Sequence, residues 1–260
     1  MALASTEEVV VEPNSVLLID LDETLIPDRA ATRKALAQTF HSLQLPGGQR
    51  PINDFLLLTR ELWRDYPGRQ SVDALGVSSW EALWTDAAFT DMGTTPTKAS
   101  FPASVWTAYG ERIGRKVDGA QAAEAYVKAR TGEIAAYSGV VDSLTGLSES
   151  HTLWLATDGS SPLQRLKLAR SGLQNFFERV LISAEVGALK SDEGFAGRVS
   201  QELTPGQQVA YVVGDNPMTD GVLAAHGNWP FAHLTIDPAV CPDCAPGTTH
   251  IRELSGLMRP

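Results

Sequence analysis

Five short apolar runs along the chain predict five buried strands. They cover residues 16–19, 151–156, 180–183, 209–213 and 231–236. Continuous apolar runs are typical of strands that are covered on both faces, as in parallel sheets. Helical patterns separate the later runs, and alternation of strand and helix favours a mostly parallel sheet between two helical layers. The pattern therefore predicts the α/β fold class, with a three-layer Rossmann-like core.

Two of the intervening helices have recognisable ends. Ser161 and Pro162 have the character of an N-cap followed by a proline in the first turn. Asn216 and Pro217 open another helix in the same way, and Gly227 is the expected stop.

Between the first strand and the second, the apolar spacing is helical. Examples are Phe55, Leu58 and Leu62, and the group Trp80, Leu83, Trp84 and Ala87. We expect residues 27–138 to form an inserted α-helical cap, with residues 1–26 and 139–260 forming the Rossmann-like core. Most of the tryptophans fall in the insertion, where core packing is the expected role. These tryptophans are Trp63, Trp80, Trp84 and Trp106.

Charge and composition narrow the choice of partners. The 260 residues carry a net charge of −10, with an isoelectric point near 4.9. That balance argues against nucleic acid or an anionic membrane as the main partner. No apolar run approaches the length of a membrane span, and residues 1–14 lack a signal-peptide core. We expect a cytoplasmic protein whose first residues form a short, loosely ordered tail.

The chain has two cysteines, Cys241 and Cys244, in a Cys-x-x-Cys arrangement. Such a pair is compatible with half of a zinc site or with a redox pair. There is no second pair, although His226, His233 and His250 are near in sequence, and the segment follows the expected last strand. An ordinary turn is therefore the favoured interpretation.

Polar residues with chemical potential follow several of the predicted strands. Asp20, Asp22 and Thr24 come directly after the first apolar run. Aspartates at strand ends also stabilise turns and cap helices, so this group alone favours function only modestly. Further groups follow the next strands in order: Thr157 with Asp158, then Lys190, then Gly214, Asp215 and Asp220. Because the carboxyl ends of parallel strands meet at one edge of a sheet, the groups together predict a single site.

These residues resemble the four motifs of the haloacid dehalogenase (HAD) superfamily, and specifically its magnesium-dependent phosphatases with a C1 helical cap. The motifs correspond here to Asp20-x-Asp22-x-Thr24, Thr157, Lys190, and Gly214-Asp215 with Asp220. The helical insertion occupies the position of the C1 cap. Three positions depart from the usual pattern: Glu23 stands for a glycine, Asp158 for an asparagine and Ser191 for a proline.

The resemblance implies a role for each motif. Asp20 would be the nucleophile and Asp22 the general acid and base. Mg²⁺ would be held by the carboxylates of Asp20 and Asp215 and the backbone carbonyl of Asp22, with Asp220 beside it. The phosphate-binding group would comprise Thr157, Asp158 and Lys190. Because a carboxylate facing a phosphate would be repelled, the Asp158 side chain is expected to turn toward a polar group of the leaving group.

The implied reaction is Mg²⁺-dependent hydrolysis of a small-molecule phosphate monoester through an aspartyl-phosphate intermediate. A sugar phosphate, a nucleotide or a biosynthetic intermediate would each fit as substrate. A phosphomutase of the same superfamily is the alternative enzyme. A non-catalytic protein that binds a phosphate ligand is the alternative from another class.

Overall fold

A six-stranded parallel sheet forms the centre of the part of the protein that the structure describes. This computed structural model describes residues 14–71, 75–85, 100–235, 241 and 243–258. The strand order is β3-β2-β1-β4-β5-β6. The strands are β1 (Ser15–Ile19), β2 (Thr152–Thr157), β3 (Arg179–Ile182), β4 (Gln208–Gly214), β5 (Phe231–Leu234) and β6 (Thr249–Ile251).

The sheet confirms the five strands that the apolar runs predict, and every neighbouring pair is parallel. Strand β6 was not predicted, because three residues with two polar side chains give no apolar run. The cysteine pair therefore precedes the last strand of the described chain instead of following it, which corrects the sequence-based expectation. The expected N-terminal tail, apart from Asn14, lies outside the described residues, as does Ile236.

Helices between β1 and β2 build the predicted insertion. They are α1 (Asp28–Ser42), α2 (Gln49–Arg64), α3 (Phe101–Arg112) and α4 (Gly119–Gly132). Their buried aromatic residues pack in one apolar cluster with edge-on and tilted ring contacts, for example Phe40 and Phe55 against Trp106. Residues 79–84 form turns where the spacing suggested a helix, and Ala87 lies outside the described residues. The limits 27–138 for a separate cap domain stay a prediction.

The expected packing role of the tryptophans holds for most of those in the insertion. Trp63, Trp84 and Trp106 are buried. Trp80 is half-buried instead, and its indole Nε1 donates to Asp28 Oδ2 at 2.9 Å. That hydrogen bond ties the turn at residues 79–84 to the start of α1.

Further helices cover both faces of the sheet. They are α5 (Val140–Ser148), α6 (Ser161–Arg170), α7 (Ser183–Val186), α8 (Glu193–Glu202) and α9 (Val222–Gly227). Alternate residues of β1 point to opposite faces. Leu17 and Ile19 belong to one apolar cluster, whereas Val16 and Leu18 belong to another. The sheet is therefore covered on both sides, which confirms the three-layer Rossmann-like α/β fold.

Two helix ends differ from the predictions by one residue. The N-cap position of α6 is Ser160 rather than Ser161. Helix α9 ends at Gly227, and Asn228 takes the left-handed backbone conformation that the prediction gave to Gly227. Asparagine tolerates that conformation better than most residues, which explains why Asn228 can end the helix where Gly227 was expected to. Within the described residues, none of the helices has the length and apolar character needed to cross a bilayer.

Candidate active site

The predicted polar residues meet at the carboxyl edge of the sheet around β1. Strand β1 pairs with β2 on one side and β4 on the other, so Asp20 follows a strand that lies between Thr157 and Gly214. The backbone N–H of Asp20 donates to the Val213 carbonyl at 2.9 Å. Because β2 and β3 extend to one side of β1, and β4 to β6 to the other, the strand order reverses here. Ligands in open α/β sheets bind at such a point.

Lys190 joins two of the buried carboxylates. Its Nζ lies 2.5 Å from Asp20 Oδ1 and 2.6 Å from Asp220 Oδ1. The remaining oxygens are also engaged, since Thr24 Oγ1 donates to Asp20 Oδ2 at 3.1 Å and the Asn216 N–H to Asp220 Oδ2 at 3.1 Å. Asp20, Lys190 and Asp220 are each buried. The local geometry thus holds a carboxylate rigidly at the end of the central strand.

Asp220 lies in a helical turn that is wider than an α-helical turn. Asn216 caps it, with the side chain accepting from the Met218 N–H at 3.0 Å, as the sequence predicts. The turn Pro217–Gly221 is a π-helix that precedes α9. Wider turns of this kind often occur at functional sites.

Three carboxylates could share a metal ion. One oxygen from each of Asp20, Asp215 and Asp220 lies within 4.8 Å of the others. Oxygen ligands are those that Mg²⁺ prefers. The donor set therefore fits the predicted magnesium ion, with Asp220 close enough to face it. The role expected for the Asp22 carbonyl stays a prediction.

Burial and charge crowding change the titration of this group. Burial raises the pKa of Asp20 to about 6, although Lys190 opposes the shift. Burial, helped by the charges of Asp20 and Asp220, raises the pKa of Asp215 to about 7. Burial alone would lower the pKa of Lys190, but Asp20 and Asp220 outweigh it and raise that pKa well above its ordinary value. The site therefore holds more negative charge than Lys190 neutralises, and a cation would stabilise it.

Asp22 makes a different set of contacts. Lys167 Nζ lies 2.9 Å from both of its carboxylate oxygens, and Gln164 Nε2 donates to Oδ2 at 3.2 Å. Burial raises the pKa of Asp22 well above its ordinary value, Lys167 opposes this, and the carboxylates of Asp28, Glu81 and Asp20 add to it. A carboxyl group with a raised pKa can carry a proton near neutral pH, as a general acid requires.

The sequence interpretation missed the network behind Asp22. Glu81 Oε1 accepts from Lys167 Nζ at 2.7 Å and from Gln164 Nε2 at 2.8 Å. Lys167 Nζ also lies 3.1 Å from Asp28 Oδ1, and Asp28 is paired with Arg130. Burial alone would lower the pKa of Lys167, but the carboxylates of Asp22, Asp28 and Glu81 raise it.

A sequence signal for this network exists in α6. Its buried positions are Leu163, Gln164, Lys167 and Leu168, which repeat at helical spacing. A glutamine and a lysine thus lie on the apolar stripe of the helix. Long polar side chains are almost never fully buried without a partner, so their place on that stripe indicates an internal ion pair.

The predicted phosphate-binding residues are placed near this network. Thr157 is buried at the end of β2, and its Oγ1 donates to Gln164 Oε1 at 3.4 Å. Asp158 Oδ1 accepts from the backbone N–H of Lys190 at 3.0 Å. The Asp158 side chain therefore contacts the loop that carries Lys190, which favours a supporting role in place of the expected leaving-group contact.

Glu23 replaces the usual glycine at a position whose backbone conformation is unfavourable for other residues. Its φ is 63°, in the left-handed region. Glycine adopts that region without strain, which explains why it is usual there. In this chain Glu23 Oε1 accepts from the Arg29 N–H at 2.6 Å, within the first turn of α1. The contact satisfies an otherwise unpaired helix N–H and gives the glutamate a local function.

Comparison with known proteins gives independent evidence on the family to which the chain belongs. The model of the haloacid dehalogenase-like hydrolase family matches residues 103–229. Phosphoserine phosphatase from Thermus thermophilus is 30% identical over 213 residues, which are 79% of this chain and 82% of that protein. Pyrimidine 5'-nucleotidase PynA from Streptococcus pneumoniae is 25% identical over 78% of this chain and 76% of its own.

A solved structure shows the same fold. HAD-hydrolase YfnB from Bacillus subtilis, in a form bound to magnesium, superposes with a TM-score of 0.65 at 21% identity. The match covers 94% of this chain and 96% of that one. These relatives, together with the family match, show that the chain belongs to the haloacid dehalogenase-like hydrolases.

Proposed function

We propose that the protein is a Mg²⁺-dependent phosphatase that hydrolyses a small-molecule phosphate monoester through a phosphorylated Asp20. The observation that carries the proposal is the environment of Asp20. Its carboxylate is buried at the end of the central strand, bound by Lys190 and Thr24, and close to Asp215 and Asp220. A fixed carboxylate beside cations is suited to attack phosphorus. The cations offset the negative charge of the phosphate, which would otherwise repel the carboxylate.

In the first step, an oxygen of Asp20 forms a bond to phosphorus while the bond from phosphorus to the leaving oxygen breaks. Asp22 gives its proton to that oxygen, which departs as a hydroxyl group. In the second step, Asp22 takes a proton from water, the water oxygen bonds to phosphorus, and the bond to Asp20 breaks. Inorganic phosphate leaves, and both aspartates return to their starting states.

The raised pKa of Asp22 supports this division of work. A group that both gives and takes a proton is most effective when its pKa is near the working pH. Lys167 keeps the Asp22 carboxylate in place with two equal contacts of 2.9 Å. Lys190 is paired with Asp20 and Asp220, so the two aspartates have separate cationic partners.

The carboxylates of Asp20 and Asp215 would hold the magnesium ion, with Asp220 beside it. When bound, Mg²⁺ offsets negative charge on the phosphoryl group and on the carboxylates that surround it. Lys190 adds a fixed positive charge next to Asp20, and the Thr157 hydroxyl would bind a phosphoryl oxygen.

The relatives favour a small substrate. One is a phosphoserine phosphatase and another a pyrimidine 5'-nucleotidase. We propose a substrate of comparable size, such as an amino-acid phosphate, a nucleoside monophosphate or a sugar phosphate. The helical insertion would cover the site and exclude water.

The test is release of inorganic phosphate from a panel of these monoesters, with and without Mg²⁺. We expect turnover in the wild type and loss of turnover in Asp20→Asn. Asp22→Asn should still accept a phosphoryl group from esters with good leaving groups, and label from such an ester should remain on the protein until hydroxylamine releases it. Full activity in Asp20→Asn would contradict the proposal. A requirement for a sugar bisphosphate would indicate a phosphomutase instead.

A further inference from the structure

A cluster of sulfur and imidazole groups lies beside the end of β5 and includes none of the proposed catalytic side chains. Cys241 and Cys244 form a disulfide in the structure. Cys244 Sγ lies 3.4 Å from Nδ1 of His233, which is on β5. The ligand atoms of these three residues all lie within 4.8 Å of one another. The expected turn is present, since the Cys244 N–H donates to the Cys241 carbonyl at 3.4 Å, but the pair is also disulfide-bonded and faces a histidine.

A structural staple is a poor explanation for this disulfide. The two cysteines are three positions apart. Closing so short a loop removes little conformational entropy from the unfolded chain. The pair therefore adds little to stability as a cross-link, and its position beside His233 calls for another explanation.

The hydrogen bond of His233 to a backbone carbonyl shows which of its ring nitrogens carries the proton. Nε2 lies 3.0 Å from the backbone carbonyl of Asp215, which can only accept. Nε2 therefore carries the proton, and in the neutral ring the lone pair is on Nδ1, which faces Cys244 Sγ. This is the arrangement seen in metal-binding histidines, whose second nitrogen usually donates to a carbonyl or a carboxylate.

A fourth ligand is within reach on the neighbouring strand. His250 of β6 pairs in register with His233, and their ring centroids are 5.4 Å apart. His250 is exposed and lies outside the group of three that is already within 4.8 Å, so its ring would have to turn toward the cluster to complete the site. Two cysteines with two residues between them, together with two histidines, form a common tetrahedral zinc set. Ligand atoms of such a site are separated by roughly 3.5 Å, which is close to the observed distance between Cys244 Sγ and His233 Nδ1.

We propose that the reduced protein binds one Zn²⁺ ion through Cys241, Cys244, His233 and His250. A dithiol reductant breaks the S–S bond, delivers two electrons and two protons to the sulfurs, and closes its own disulfide. Zn²⁺ then binds as the two thiol protons leave to solvent. The bound ion would hold the segment before β6 against β5. His233 would then connect the ion to the backbone carbonyl of Asp215.

The test uses the full-length protein, reduced with dithiothreitol, freed of reductant and incubated with Zn²⁺. We expect about one zinc per chain to remain after gel filtration. The variant Cys241→Ser with Cys244→Ser should retain none. Asp20→Asn with Asp215→Asn should retain it fully, because neither carboxylate is a ligand of the proposed zinc site and His233 contacts only the backbone of Asp215. His226→Ala is the matched histidine control and should also retain it.

Cobalt supplies a second readout that does not depend on activity. Co²⁺ in the reduced wild type should show thiolate charge-transfer absorption and the strong visible bands of tetrahedral coordination, both lost in the cysteine variant. His233→Ala and His250→Ala should each weaken binding at least tenfold. The proposal is overturned if the reduced wild type holds no more zinc than the cysteine variant, or if cobalt shows no thiolate absorption. An unchanged affinity in His250→Ala would remove that residue from the ligand set.

Discussion

Lys167 Nζ lies 2.9 Å from both carboxylate oxygens of Asp22, although 145 residues separate the two in sequence. Lys167 is fully buried and contacts Glu81 and Asp28 as well. Its single positive charge thus serves three carboxylates, one in the loop after β1 and two in the helical insertion. The proposed acid and base is therefore linked to the residues that would form the cap.

We predict that Lys167→Met shifts the pH profile of kcat/KM upward. Lys167 stabilises the ionised form of Asp22, so its loss raises the pKa of Asp22 further. The shift should be about one pH unit, with a fall in kcat of about 10²-fold. Steady-state kinetics across pH 5 to 9 would measure both.

Lys167→Arg retains the positive charge and is the comparison for this variant. We expect its pH profile to remain closer to that of the wild type than the profile of Lys167→Met. Lys128→Met, on an exposed position of α4, controls for removal of a lysine and should leave the kinetics unchanged. A loss of kcat in Lys167→Met at every pH, with no displacement of the profile, would indicate a purely structural role.

The sequence predicts the residues at the carboxyl edge of the sheet better than it predicts the network around Lys167. Asp20, Lys190 and Asp220 come together because the strands that precede them, β1, β3 and β4, are parallel and end at the same edge of the sheet, and the apolar runs of these strands can be recognised in the sequence. The contacts of Lys167 with Glu81 depend on how the insertion packs on α6, which local patterns do not encode. Strand β6 was missed for a related reason, since its pairing with β5 and not its composition makes it a strand.

We predict that Asp158→Ala lowers kcat about tenfold by the same factor for every substrate. Asp158 Oδ1 accepts from the Lys190 N–H, so its loss frees the loop that places Lys190 beside Asp20. A misplaced catalytic group costs rate without changing which leaving group is preferred. Kinetics with three or more phosphate monoesters would measure the effect.

Asp158→Asn is the matched control for that variant. Its amide oxygen accepts the same hydrogen bond, so activity should be largely retained. A change in substrate preference in either variant would instead support a contact between Asp158 and the leaving group.

We predict that removal of divalent metal abolishes phosphate release and that added Mg²⁺ restores it. Oxygens of Asp20, Asp215 and Asp220 lie close enough to share an ion, and Lys190 brings a single positive charge to this group of three carboxylates. Asp215→Asn should raise the Mg²⁺ concentration for half-maximal activity at least tenfold. Titration of activity with Mg²⁺ after treatment with a chelator would show this.

Asp142→Asn provides the control for that titration, since Asp142 is an exposed residue of α5. Its response to Mg²⁺ should match that of the wild type. Undiminished activity of the chelated wild type would contradict a metal-dependent reaction.

We predict that Asp28→Asn lowers the free energy of unfolding by about 3 kcal/mol at pH 7. Asp28 is buried and paired with Arg130 and Lys167. Burial alone would raise the pKa of Asp28, but those two cations outweigh it and lower the pKa below 3.8. The ionised form is therefore favoured by folding, and its contribution is present in full above the ordinary pKa and lost as the pH falls through the lowered one. Urea unfolding at pH 7 and at a pH below 3.8 should show a smaller difference between the two proteins in acid. Asp65→Asn, at an exposed ion pair with Arg64, should differ from the wild type by less than about 0.5 kcal/mol. A difference between Asp28→Asn and the wild type that is the same at both pH values would show that the charge of Asp28 does not stabilise the fold.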